Sequence, residues 1–169
     1  MVEYMKEFLE KPHWLFPGLP VCPFARKARL ENRILYKVHR FSLDADFLPD
    51  SPVVRMISEF RQEKCYEVLL VVHPDKQAMT NFQMQQFIAR LNQKISIAGL
   101  IAFGGHPDEG FNIQGVHTRR ELYLNFTVQC KQLVKDASDS LLKRIITTTG
   151  RQKTWTMLVF QGRVIVLND

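Results

Sequence analysis

"YEVLLVVHPDK", residues 66–76, is the stretch on which the reading of the fold turns. Val68 to Val72 form a short continuous apolar run, the mark of a strand buried on both faces. Such a strand needs helices above and below it, and the flanking sequence supplies them. Downstream, Thr80 followed by Gln83 reads as a capping box, and Met84, Phe87, Ile88, Leu91 and Ile95 space out the buried face of a helix reaching to Gly99. "LIAFGG", residues 100–105, is then a second buried strand. Upstream, "SPVVRMISEFRQEK" (51–64) opens with Ser51 as cap and Pro52 in the first turn, and Val53, Met56, Ile57 and Phe60 make one apolar stripe. Before it, "RILYKVHRFSL" (33–43) alternates and is β-branched and aromatic enough for a strand.

The centre therefore reads β-α-β-α-β. Right-handed crossovers between buried strands predict an α/β domain with a largely parallel central sheet. Farther on, Asn125 is expected to cap a long helix on Phe126, Cys130, Leu133, Val134, Ala137 and Leu141, ending at Gly150. "TWTMLVFQGRVIVLND" follows as two strands about a Gln161-Gly162 turn, a C-terminal antiparallel hairpin. At the other end "VEYMKEFLEK" suggests a short helix, and Pro12, Pro17, Gly18 and Pro20 enforce an extended loop. The expected organisation is a single domain over 1–169: helix and Pro-rich loop to 21, an α/β core over 22–150, and the hairpin over 151–169.

Bulk properties narrow the class. A hydrophobic fraction of 46% with 24% charged residues is that of a folded globular chain, not a disordered one. No apolar run approaches the roughly 18 residues of a membrane span. Glu3, Lys6, Glu10 and Lys11 interrupt the start too often for a secretory signal. Cys22, Cys65 and Cys130 are odd in number and widely spaced, which points to thiols in a reducing cytoplasm. The net charge of +6 is concentrated over residues 22–40, where Arg26, Lys27, Arg29, Arg33, Lys37 and Arg40 face only Glu31. That excess is either a solvated face or a surface for nucleic acid or an acidic protein.

Phosphate-loop, dinucleotide and nucleophile-elbow signatures are all missing. His73-Pro74-Asp75-Lys76 resembles the tripeptide of J-domain co-chaperones, but there it joins two helices, whereas here a strand leads into it. His-Pro-Asp occurs again at His106-Pro107-Asp108, also directly after a buried strand. Parallel strands would set both copies on the C-terminal rim of the sheet, where open α/β sheets bind ligands. Near the second copy stand His117, Arg119 and Arg120, and the glycines before His106 would let backbone approach a bound group.

Three readings of this rim are open. His106, Asp108 and His117, with or without His73, have the donor types for a divalent metal such as zinc, iron or manganese. Alternatively His106 is a general acid or base while Arg119 and Arg120 clamp a small anionic substrate. Or each His-Pro-Asp is turn chemistry, its Asp bonding local amides.

Cys22 precedes Pro23 at the expected start of a basic helix running to about Leu30. The helix dipole with Arg26, Lys27 and Arg29 would favour thiolate there; burial as a small apolar residue is the plain alternative. Glutaredoxin-like proteins also place Cys-Pro-Phe at a helix start, though Ala25 stands where their second cysteine often is.

Taken in order, "GLPVCPFARKARLENRILYKV", "VVHPD", "GGHPDEGFNIQG" and "TRRELYLNF" resemble a bacterial family of unestablished activity. Its members carry Gly-Leu-x-Leu-Cys-Pro-Phe-Ala, then Phe-His-Pro-x-Tyr-x-Phe and Asn-Arg-Ser-Pro-Tyr-Pro. Cys22, Pro23, Phe24, Ala25, His106, Pro107, Phe111, Arg120 and Tyr123 match. Gly105, Leu122 and Leu124 depart from it, and the family's helix histidine is absent. The resemblance spans residues 18–145 and implies that Cys22, His106 and Arg120 share one pocket. The two function classes are thus an enzyme with His106, Cys22 and Asp108 as reacting groups and Arg26, Arg119 and Arg120 holding an anion, or a non-catalytic binding module using the basic face.

Overall fold

A four-stranded main sheet organises the computed structural model, which describes residues 2–12, 20, 22, 24–109, 112–113, 116–117, 122–149, 155–160 and 163–168. In chain order the elements are α1 (Val2–Tyr4) with a π-helical turn Met5–Leu9, α2 (Ala25–Leu30), β1 (Ile34–Val38), α3 (Pro52–Gln62) and β2 (Val68–Val72). Then come α4 (Asn81–Ile95) with a 3-10 turn Ser96–Ala98, β3 (Leu100–Gly105), β4 (Asn112–Ile113) and β5 (Val116–His117). The chain closes with β6 (Asn125–Cys130), α5 (Lys131–Thr149), β7 (Trp155–Phe160) and β8 (Arg163–Asn168).

Local signals set most of these boundaries. Ser51 accepts from the Val54 amide at 3.4 Å, with Pro52 at the first position of α3. At α4, Thr80 takes the Gln83 amide at 3.2 Å and donates its own amide to the Gln83 side chain at 2.8 Å, so both halves of the box are made. Gly99, at φ +71°, ends the α4 region in a left-handed turn that strains other residues.

The sheet is mixed, not largely parallel. β1 pairs parallel with β2, but β6 runs antiparallel to both β2 and β3 and lies between them. The segment expected to open a helix at Asn125 is instead a strand, and the helix begins at Lys131. Phe126, Cys130, Leu133 and Val134 happen to fit a helical spacing. Phe126 and Val128, however, alternate inward with no exposure, and Thr127 and Val128 are β-branched, as a strand prefers. β7 and β8 pair antiparallel in a two-stranded sheet of their own; the Gln161-Gly162 turn between them lies outside the described residues.

Two cores result from the two faces. On one, Val53, Ile57 and Phe60 of α3 and Met84, Phe87, Leu91 and Ile95 of α4 cover Leu69, Val71, Phe126, Val128, Leu100 and Ala102. On the other, Met5, Ala25 and Ala28 cover Ile34 and Leu70 in a much smaller cluster. A Cβ at Gly104 would meet Ile88 Cγ1 at 2.6 Å, so this glycine serves the close approach of α4 to β3. Its expected use, room for a bound group, is replaced by packing.

Candidate functional site

β1, β2 and β3 point the same way, because β1 is parallel to β2 while β2 and β3 both oppose β6. Their C-terminal ends share a rim with the start of β6, where Asn125 is in register with both Val72 and Gly105. The first residue beyond each strand is a histidine: His39, His73 and His106. Both His-Pro-Asp copies therefore lie on one rim. His39 lacks any motif and is the rim residue that sequence reasoning missed; its only signal is its place one residue after a strand.

The three rings differ in what is left of them. His106 is 4% exposed; its Nε2–H donates to the Met79 carbonyl at 2.9 Å and its Nδ1 accepts the Asp108 amide at 2.9 Å. Both nitrogens are used, which fixes a neutral tautomer and leaves no lone pair for a metal or a substrate proton. The Asp108 carboxylate lies in solvent, 4.0 Å from that ring. His73 is equally buried, edge-on to Phe41 with ring centres 5.1 Å apart. Its Nδ1 sits 2.8 Å from the Asp75 carbonyl and 3.0 Å from the Asp75 amide, while Asp75 Oδ1 takes the Gln77 amide. This is the turn chemistry that His-Pro-Asp permits.

His39 keeps 24% of its side chain exposed, and its Nε2 lies 3.2 Å from Oδ1 of Asp46, a carboxylate buried to 2%. The Ser42 amide donates to Oδ2 at 2.7 Å, and the Ser51 hydroxyl donates to the Asp46 carbonyl at 2.8 Å. The loop 40–50 is thus knotted around one acid.

Cys22 belongs elsewhere. It packs on the smaller cluster of Met5, Ile34 and Leu70, whereas Met79 and Phe41, the neighbours of His106 and His73, belong to the larger cluster on the opposite face. Cys22 and His106 are not brought together. Some of the Cys22 surface stays accessible, yet burial pushes its thiol up from the ordinary value; the amides of Ala25 and Phe24 pull back and Glu10 pushes further. The thiolate expected from the dipole and cations is countered by desolvation, and α2 spans only Ala25–Leu30. Arg119, Arg120 and Phe111 lie outside the described residues, and His117 is described only as part of the β5 backbone. Among the described residues no group of three His, Cys, Asp or Glu side chains is placed to hold a metal ion, and no helix is long and apolar enough to cross a membrane.

The basic stretch divides in two. Arg29 grips Glu10 with paired bonds of 2.7 Å, holding the Glu10 carboxyl below its usual range, chiefly through that hydrogen bond and in spite of burial. Arg33 pairs with Glu31 and Glu67, and Lys37 with Glu59 at 3.3 Å. Arg26, Lys27 and Arg40 stay exposed and make no ion pair among the described residues. Beside them, Phe24, Leu30, Tyr36 and Val38 are exposed too, Val38 to 75%. Comparison with protein-family models, with curated proteins and with solved structures found no match.

Proposed function

We propose that this chain is a binding module that takes an extended acidic, apolar protein segment along β1 and α2. The observation that carries the reading is the edge position of β1. The Arg33 carbonyl and the His39 amide bond toward β2. By alternation, the N–H and C=O groups of Tyr36 and Val38 face away from it. Their side chains, with those of Phe24 and Leu30, offer apolar contacts, while Arg26, Lys27 and Arg40 favour carboxylates. Added strands bind an edge in this way, backbone giving affinity and alternate side chains giving choice. Nucleic acid fits less well, because Glu10, Glu31, Glu59 and Glu67 are interleaved with the cations. The free thiols of Cys22, Cys65 and Cys130 accord with the cytoplasm as the place of action.

Fluorescence anisotropy with a short acidic valine-rich peptide tests this, with a single-stranded oligonucleotide in parallel. The peptide is expected to bind, to weaken several-fold in Arg26→Glu/Lys27→Glu, and to be lost in Tyr36→Pro, which removes an edge donor. Tight, steeply salt-dependent binding of the oligonucleotide with no uptake of peptide would replace this reading by the nucleic-acid one.

A further inference from the structure

We infer that His39 and Asp46 form a proton-transfer site on the rim of the sheet, a role that goes beyond partner binding and does not depend on it. Of the three rim histidines, His106 has spent both nitrogens and His73 is buried against Phe41 and the Asp75 backbone. His39 alone pairs a buried carboxylate on one nitrogen with a side chain that keeps 24% of its surface exposed. Asp46 cannot swing away, since the Ser42 amide holds its second oxygen and the Ser51 hydroxyl holds its carbonyl. An immobile carboxylate facing Nε2 keeps the proton there and leaves the lone pair on Nδ1, for which no partner exists among the described residues. This is the arrangement in which a carboxylate sets the tautomer of a general base.

The ring stands at the C-terminal end of β1, on the rim where open α/β sheets receive small ligands. Nδ1 would take a proton from the hydroxyl of a small molecule or from water as that oxygen bonds to an electrophilic carbon. The bond from that carbon to its leaving oxygen then breaks as the imidazolium returns the proton to that oxygen, so the ring ends as it began. Arg40, the next residue and exposed, gives substrates with a carboxylate or phosphate the advantage. Asp46 touches no substrate and is a positioning residue.

Three measurements decide it. Diethyl pyrocarbonate acylates an unprotonated imidazole nitrogen, the new N–C bond forming as a C–O bond breaks and ethanol and carbon dioxide depart. On the unaltered chain, peptide mapping is expected to find His39 modified and His106 spared; an unmodified His39 overturns the proposal. Hydrolysis of p-nitrophenyl acetate, used as the probe, should exceed the buffer rate and fall at least about tenfold in His39→Gln. A rate unchanged by that substitution, or equal to buffer, also overturns it. Long-range proton–nitrogen NMR should place the His39 proton on Nε2 and show both tautomers in Asp46→Asn. A single unchanged tautomer there removes Asp46 from the site.

Discussion

The two edges of the sheet are finished differently. At β3, Asn92 of α4 donates its side-chain amide to the Ala102 carbonyl at 2.9 Å and accepts the Ala102 amide at 2.8 Å, standing in for the missing neighbour strand. At β1 no side chain among the described residues does the same for Tyr36 or Val38. The β3 edge is also clamped by a fifteen-residue helix that approaches to the limit Gly104 allows. The β1 side is covered by the six residues of α2 and a short N-terminal helical run, held by the Arg29–Glu10 pair. An edge closed by an amide mimic is protected against added strands, and an edge left open is available to them. The difference teaches that openness to an added strand is set by the backbone groups of the edge rather than by apolar exposure, since Phe82 and Ile97 on the α4 side are exposed as well.

Perturbing the strand shared by both halves should erase the contrast. Phe126→Ala is expected to cost about 3–5 kcal/mol in urea unfolding and to loosen amide protection at both edges alike. Gly104→Val forces a branched side chain into Ile88 and should cost about 1–3 kcal/mol, with faster amide exchange in β3 and α4 but not in α2. Asn92→Ala strips Ala102 of both partners at a cost of about 1–3 kcal/mol and makes β3 a second open edge. Concentration-dependent light scattering should reveal the new self-association; none appearing would mean that the amide mimic does not protect the edge.

The smallest effect is confined to the β1 side. Because Arg29 lowers the Glu10 carboxyl, the stability from that pair is present above the pH at which an unfolded glutamate titrates. It is lost as the pH falls through the lower, folded value. Protection factors of the α2 amides, corrected for the intrinsic pH dependence of exchange, should therefore fall on acidification while those of α4 stay unchanged, and Glu10→Gln should remove that difference.

Where a signal was local, it was legible. Ser51 with Pro52, Thr80 with Gln83 and the runs at 68–72 and 100–105 each announced their element, because a cap or a doubly buried strand is written within a few residues. What failed was long-range. Nothing near Asn125 says that it pairs with Val72 and Gly105, so a strand followed directly by a helix read as one helix, and the sheet lost its antiparallel member. The basic run of 22–40 gave no warning of Glu10, Glu59 or Glu67, which sit on other elements. His-Pro-Asp draws attention because it repeats, yet backbone groups engage both nitrogens of His106 and Nδ1 of His73. His39 and Asp46, seven residues apart with no pattern between them, depend on how one loop closes.

Inserting β6 between β2 and β3 also sets an order of events during synthesis. β2 and β3 have no bonds to one another, so a chain made only as far as residue 124 has β2 unpaired on one flank and β3 unpaired where β6 will lie. The four-stranded sheet can close only after the strand at 125–130 has emerged and paired with both. Until then the nascent chain carries two sticky flanks, and its time in that state is where aggregation or chaperone capture would occur.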